Sequence, residues 1–443
     1  KLRGIKDMER NKVSVLLVSV DALKPEFVFE QERLGISLPN ISKYFVENGT
    51  FAGGGVQSVF PTFTYPCHQS IITGTNPATH GIYNNGIFDP MGEHMGAWHW
   101  FASKKAENLW EAAGKHGYLS ASVAFPTSVA AGGDFMAPEF WWDGTELDSR
   151  FIDAMSVPQG MILEMEKEIG RYAGGLDLTE AGDRQRYRAA MWVLDHKLAP
   201  KAGKCPFFMT AYFASFDEMA HQYGVYSKEA AHAIEAIDKM LGDLIEKVHS
   251  MTDDQAVVCV VSDHGTLDNR YNIRPNVKLR EAGLITTDGN GRVTDWRAWS
   301  QRAGGMSEIR LKNGQDEDAR RKLDQIMKEL SSDPVFGILE VLDRAQAIER
   351  GGFPLADYVL VSRKGYEIRD DAEGDYCTET LHQKAQHGYC ERFEEMRASF
   401  MIEGCGIERK CDIGSMNLID IAPTLASVMG FDMPQAEGRN RLK

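Results

Sequence analysis

The stretch CPFFMTAYFASFDEMAHQYGVYSKEAAHAIEAIDKMLGDLIEKVHSMTDDQAVVCVVSDHG, Cys205 to Gly265, decides the fold. Its ends carry two short apolar runs, CPFFMTAYFASF (205–216) and QAVVCVVS (255–262), of the kind that form strands buried on both faces. Between them Ile234, Ile237, Leu241, Leu244, Ile245 and Val248 recur at helical spacing, and Ser227 stands where an N-cap belongs. A strand, helix, strand unit of this kind crosses over right-handedly and leaves both strand ends on one edge of the sheet.

Two further runs, VSVLLVSV (13–20) and RASFMIEG (397–404), extend the pattern on either side. Strands alternating with helical patterns predict an α/β fold with a mostly parallel central sheet and helices on both faces. From 271 to 385 the texture changes. TTDGNGRVTDWRAWSQRAGG is rich in turns, DEDARRKLDQIMKELSSDP reads as one amphipathic helix, and ADYVLVSRKGYEI contains a short strand. The expected organisation is a core formed by residues 1–270 and 386–443, with a small α+β subdomain inserted at 271–385.

The 443 residues suffice for one large domain or two, and 43% hydrophobic with 26% charged residues is ordinary globular composition. The net charge of -15 repels nucleic acid polymers and anionic membranes at long range, so neither is an expected partner. No apolar run approaches the roughly 20 residues that span a bilayer, and the chain reads as soluble. Because it begins at Lys1, a removed leader is expected to decide between a secreted or periplasmic and a cytoplasmic location. Seven cysteines without a CxxC pair favour free thiols, with pairing among Cys377, Cys390, Cys405 and Cys411 open in an oxidising compartment.

The chemistry is concentrated where the apolar runs stop. The first ends in Asp21, the second in Asp217 with His221 four residues later, and the third in Asp263 and His264. Ligands of an open parallel sheet bind outside the carboxyl ends of its strands, so these five side chains should converge on one edge. Carboxylates gathered after buried strands need neutralising, and a cation does it. Three Asp and two His suit zinc or manganese better than calcium. His387, in KAQHGYC, is the natural sixth ligand, and two ions about 4 Å apart form the clamp used in phosphoryl transfer. Each piece also has a plain structural reading: Asp21 as a helix cap, Asp217 and His221 as an i, i+4 pair, Asp263 to Gly265 as a turn.

These residues, with VSVDALKPE, FPTFTYPCHQSIITGTNPATHGIYNN, DEMAHQYG, VSDHG, QHGY and NLIDIAPTLASVMG, resemble the nucleotide pyrophosphatase/phosphodiesterase branch of the alkaline phosphatase superfamily. The resemblance implies an alkaline-phosphatase-like three-layer sandwich and two Zn2+ ions, with Mn2+ or another divalent ion as the alternative. Asp217, His221 and His387 would hold one ion, and Asp21, Asp263 and His264 the other. It also implies Thr64 of the TYP tripeptide as nucleophile, forming a phosphothreonine intermediate, and Asn85 as a hydrogen-bond donor to the transferring phosphoryl group.

Elementary chemistry agrees with that nucleophile. Pro66 fits the first turn of a helix through CHQSIITG, which places Thr64 at the anion-binding end. Ser70 falls about two turns in, Thr62 belongs to the turn before, and His68 and His80 read as structural. Cys67 is a departure from the family, which commonly has asparagine there, and the Cys-x-Pro-x-Arg pattern of sulfatases is absent. Phe63 is a second departure, replacing a lysine of many relatives. Phe63 and Tyr65 offer aromatic surface to the substrate in place of a cation, which favours a diester over a monoester. Phe140, Trp141 and Trp142 form a second aromatic cluster.

The expected activity is therefore hydrolysis of a small-molecule phosphodiester, nucleotide or pyrophosphate. A phosphonate carbon–phosphorus hydrolase and a phosphomonoesterase are the alternatives on the same metal site. A mutase of the phosphoglycerate type would call for a serine nucleophile, and a non-catalytic, metal-stabilised binding protein would leave Thr64 idle.

Overall fold

In a computed structural model the described residues are 12–142, 147–172, 174 and 177–442. The start of the chain at Lys1 and the end of the FWWDG segment therefore lie outside them. The central sheet has eight strands: β1 (Ser14–Val20), β2 (Thr50–Phe51), β3 (Leu119–Val123), β4 (Phe135–Ala137), β5 (Phe207–Phe213), β6 (Ala256–Val261), β7 (Phe400–Gly404) and β8 (Cys411–Asp412). Their order is β8-β2-β7-β6-β1-β5-β3-β4. β1 lies in the middle, parallel to both neighbours, with Val18 opposite Ala211 of β5 and Val260 of β6.

Every residue of β1, β5 and β6 is buried, as continuous apolar runs require when helices cover both faces. Successive side chains of β1 go to opposite layers. Leu16, Val18 and Val20 join the cluster of Ile234, Ile237 and Leu241, while Val15 and Leu17 join that of Ile71, Ile72 and Leu425. Four helices bear on the site: α1 (Thr64–Thr73), α2 (Glu180–Val193), α3 (Ser215–Tyr223) and α4 (Lys228–Met251). The Ser227 hydroxyl accepts from the Ala230 N–H, capping α4 as the sequence leads one to expect.

The run at 397–404 differs from a simple parallel strand. β7 pairs antiparallel with β6, so it begins at the edge where β1, β5 and β6 end. That reversal brings the segment preceding it, with His387, to the same edge as the aspartates.

Residues 298–303, 306–311, 358–362 and 338–343 form a separate four-stranded antiparallel sheet. The helix Glu317–Ser332 covers it through Leu323 and Ile326, which pack with Ile309 and Leu360. All seven cysteines are free thiols, including the four C-terminal ones. No helix among the described residues is long and apolar enough to cross a membrane.

Candidate active site

α1 starts at Thr64, with Phe63 as its extended N-cap. Pro66 sits in the first turn, where its missing N–H is no loss. The Tyr65 N–H donates to Asn85 Oδ1 at 2.8 Å, which leaves the Asn85 amide NH2 as the donor available to the cavity that both residues line. Thr64 Oγ1 lies 3.3 Å from His264 Nε2.

All three site histidines are oriented in the same way. Nδ1 of His221 faces the Ala385 carbonyl at 2.7 Å, that of His387 the Thr62 carbonyl at 3.2 Å, and that of His264 the Gly265 carbonyl at 3.1 Å. A backbone acceptor on Nδ1–H presents Nε2 with its lone pair inward, the arrangement that metal-bound imidazoles need. Gly265 is required here by close packing, since a Cβ would stand 2.1 Å from the Glu395 carbonyl oxygen.

Around these rings the ligand atoms of Asp217, His264 and His387 lie within 4.8 Å of one another, as do those of Asp21, Asp263 and His264. His221 joins the first group beside Asp217, Nε2 to Oδ2 3.1 Å, and its ring is 5.2 Å from that of His387. Asp217 and His221 are thus an i, i+4 pair on α3 and members of the cluster at once. The six sequence-derived ligands converge, with His264 between the two groups.

The charges in this cluster are unbalanced. Asp21 Oδ1, Asp217 Oδ1 and Asp263 Oδ2 are buried without a hydrogen-bond partner. Burial, then the like charges of Asp263 and Asp217, push the Asp21 carboxyl well above the usual carboxylate range. Burial would also raise Asp217, yet His221 holds it below that range. Burial opposes the charge on His221, but Asp217 lifts it to about 9. His387 is driven far down by burial and by His264. Orphaned carboxylate oxygens facing inward-turned imidazoles fit a divalent cation, which supplies the missing positive charge.

Thr62, Cys67, His68 and Ser70 of the TFTYPCHQS segment are structural. Thr62 donates to the Tyr389 carbonyl at 2.9 Å. Cys67 is fully buried 3.2 Å from the Ser58 hydroxyl, and burial followed by Asp263 raises its thiol far above a reactive range. Ser70 Oγ lies 3.0 Å from His80 Nε2, whose ring burial keeps neutral down to about pH 3. His68 spans Ser19 Oγ (2.9 Å) and the Thr64 carbonyl (2.8 Å), so it steadies the first turn of α1.

Of the two aromatic candidates, Tyr65 lines the cavity. Phe63 is half-buried with its ring 4.9 Å from that of His387, and it packs against the cluster of Phe60 and Phe353. It backs a site histidine. Trp141 lines the cavity, while Phe140 and Trp142 pack on Trp100 behind it.

Sequence reasoning missed three supports. Tyr212 donates to Asp21 Oδ2 at 2.5 Å, a contact set by the pairing of β1 with β5. Asp183 on α2 accepts the N–H groups of Ala214 and Ser215, both at 2.9 Å, and an Arg186 N–H at 2.9 Å, so it fixes the first turn of α3. Glu139, 3% exposed, lies in the cavity wall and accepts from the Tyr65 hydroxyl at 2.8 Å. The i, i+3 spacing of Asp183 and Arg186 was visible in the sequence, but nothing there tied it to α3. The cavity measures about 340 Å³.

A larger groove of about 750 Å³ opens beside His249 and Glu403 at the opposite sheet edge. There His249 meets Glu403 (2.8 Å) and Asp254 (3.3 Å) through different ring nitrogens, so the three cannot share one ion.

An α/β sheet with an Asp- and His-lined edge and a threonine hydroxyl at a helix start defines the alkaline-phosphatase-like fold class. The chain belongs to the type I phosphodiesterase/nucleotide pyrophosphatase family, whose profile matches residues 15–390. Human ectonucleotide pyrophosphatase/phosphodiesterase family member 1 is 27% identical over 259 residues, 56% of this chain and 23% of that protein. The venom phosphodiesterase of Naja atra is 23% identical over 92% of this chain and 43% of its own length. The matches thus span less than half the length of these curated relatives. Among solved structures, an inactive threonine-to-alanine variant of murine ectonucleotide pyrophosphatase/phosphodiesterase 5 in complex with AMP superimposes with a TM-score of 0.65 at 19% identity, covering 96% of this chain and 97% of that one.

Proposed function

We propose that this protein hydrolyses phosphodiester or pyrophosphate bonds of small molecules, with Thr64 as the nucleophile. The observation that carries the reading is the place of the Thr64 hydroxyl, at the start of α1 and 3.3 Å from His264 Nε2, on the cavity lined by Asp21, Asp217, His221 and His387. Asp217, His221 and His387 would hold one divalent ion and Asp21, Asp263 and His264 the other, zinc being suited to this mixed donor set. When bound, such ions supply Lewis acidity and neutralise charge on the phosphoryl oxygens and the reacting hydroxyls.

The protein's own part is positioning. Thr64 Oγ1 attacks phosphorus as its proton passes to solvent, the bond to the departing alcohol or phosphate breaks with that group taking up a proton from solvent, and Thr64 becomes phosphothreonine. Water then attacks the same phosphorus, restoring the hydroxyl and releasing the phosphorylated product. The Asn85 amide and the Thr64 N–H steady the nonbridging oxygens. Family membership and the AMP complex of the murine neighbour support nucleotides among the substrates. On this reading residues 271–385 are an inserted lobe that braces the nucleophile turn: the Phe353 ring meets Phe60 edge-on at 5.4 Å, and a Cβ on Gly352 would stand 2.2 Å from the Phe60 carbonyl oxygen.

The test is hydrolysis of bis-p-nitrophenyl phosphate by the zinc-loaded protein. Thr64→Ala is expected to lower kcat at least about a thousandfold with metal content unchanged. Acid quenching of the wild type should trap a phosphoryl adduct on the peptide containing Thr64. Full activity in the variant would refute the assignment.

A further inference from the structure

We propose that Asn84 is a positioning residue for the hydrolysis: it ties Asn85 to a hairpin 218 residues away in the chain and so aims the Asn85 amide at the phosphoryl group. This role rests on the phosphodiesterase reading, in which Asn85 steadies the nonbridging oxygens.

Three contacts hold Asn85, which is 5% exposed. Its Oδ1 accepts the Tyr65 N–H at 2.8 Å, its carbonyl accepts the His99 N–H at 2.9 Å, and its own N–H donates to Asn84 Oδ1 at 2.8 Å. The first contact pins one atom of the amide and leaves the group free to swing about it. The direction in which the NH2 points is then set by the backbone, which Asn84 and His99 fix. Asn84 is itself buried and lies outside the cavity lining, so it meets no substrate.

The other end of the Asn84 side chain leaves the segment altogether. Its Nδ2 donates to the Arg302 carbonyl at 2.9 Å. Arg302 belongs to the strand 298–303, which pairs with 306–311 through a two-residue turn, Gly304-Gly305. That strand is anchored on its own side: the Arg302 N–H donates to Asp370 Oδ1 at 2.6 Å, and Asn276 Nδ2 donates to the Ser300 carbonyl at 2.9 Å. The turn also reaches His387. The Gly305 N–H donates to the His387 carbonyl at 3.0 Å, and a Cβ on Gly304 would stand 2.1 Å from the same oxygen. One hairpin thus registers Asn85, through Asn84, against a residue of the carboxylate and histidine cluster.

The residue type fits the task. A short amide presents an acceptor and a donor from separate atoms of one planar group. An alanine would leave the Asn85 N–H and the Arg302 carbonyl without these partners, and an aspartate would keep the acceptor while setting a carboxylate oxygen against the carbonyl. A displacement of about 1 Å in a positioned group is enough to cost about a hundredfold in rate.

The experiment is a double-mutant cycle on the metal-loaded protein with bis-p-nitrophenyl phosphate. Asn85→Ala is expected to lower kcat about a hundredfold, as loss of one donor to developing negative charge does. Asn84→Ala should lower kcat about tenfold with KM almost unchanged, and should cost nothing further in the Asn85→Ala background, because it acts only through that amide. Asn84→Asp has nearly the native shape and should be as slow as Asn84→Ala, since it lacks the donor to Arg302; should the alanine variant fail to fold, the aspartate takes its place in the cycle. Binding of orthovanadate, which mimics pentacoordinate phosphorus, is followed by calorimetry on the same proteins and needs no turnover. Its Kd should rise about tenfold in Asn84→Ala and stay at the Asn85→Ala value in the double variant.

Losses that add in the double variant, or an Asn84→Asp protein with the wild-type kcat, would overturn the positioning role, while cleavage of the ester leaves the phosphodiesterase reading standing. Non-additive orthovanadate binding with no cleavage of the ester by the wild type would support the role and count against that reading. Neither binding nor cleavage would sink both.

Discussion

At one end of the cavity Asp21, Asp217 and Asp263 each keep a buried carboxylate oxygen without a partner; at the other, the Glu139 carboxylate is bound by Tyr65. Both ends place negative charge in a low-dielectric setting, where its cost is high unless it is met. The first end leaves the charge exposed to a ligand, as a metal site must. The second ties the charge into the protein through a phenol hydroxyl and surrounds it with rings. On the proposed reading a cation completes the first end, whereas the second is completed by the protein's own hydroxyl.

The comparison is broken most severely at the carboxylate and histidine end. Asp21→Asn removes a charge from the group of Asp21, Asp263 and His264. It is expected to reduce bound metal from about two ions per chain towards one, and phosphodiester hydrolysis by at least a hundredfold, as read by elemental analysis and rate. Retention of both ions would argue that Asp21 is not a ligand.

A smaller loss is expected from Asp183→Asn, which touches no proposed ligand. It leaves the Arg186 guanidinium buried beside a neutral amide and loosens the start of α3, so about 3 kcal/mol of stability should go. Metal affinity should drop roughly tenfold through the displaced Asp217 and His221. Denaturant melts and metal titration would show the two effects together.

Tyr212→Phe is gentler still. It deletes the hydroxyl that donates to Asp21 Oδ2 and leaves the ring in place. A decrease of about tenfold in metal affinity with an almost unchanged melting temperature is expected, because the bond orients a ligand more than it supports the core.

The last effect concerns Glu139, falls on stability alone, and sharpens the contrast from the other side. Burial raises its carboxyl from an ordinary 4.5 to about 7. Between those values the unfolded chain releases the proton while the folded one keeps it, so stability falls as pH rises from 4.5 to 7 and then levels. Glu139→Gln should flatten that slope and stabilise the protein by roughly 1 to 3 kcal/mol at pH 8. Parallel pH–stability curves for the two proteins would show that Glu139 is ionised in the folded state throughout.

These ends were not equally legible in the sequence. The carboxylate and histidine end was, because its residues follow directly on apolar runs whose strand character is unmistakable, and sheet geometry sends such residues to one edge. Thr64 and Asn85 could be read from short motifs on either side of a helix. The aromatic end could not. Glu139 sits in APEFWWDG, where a carboxylate looks like an ordinary turn residue, and its burial depends on Tyr65 lying 74 positions earlier. Phe63 and Tyr65 looked equivalent as neighbours of Thr64. The helix turns one towards His387 and the other into the cavity.

By itself the sequence determined the strand, helix, strand core, the aspartates and histidines that end its runs, and the hydroxyl at the start of α1, since each depends on local periodicity or on covalent order. Only the tertiary structure decided the antiparallel direction of β7, which carries His387 to the working edge, and the placing of His264 between the two ligand groups. It also decided the contacts of Tyr212, Asp183 and Glu139 with residues far away in the chain. Those depend on register and crossing angles, which are fixed by how the layers pack and leave no periodic trace in the chain.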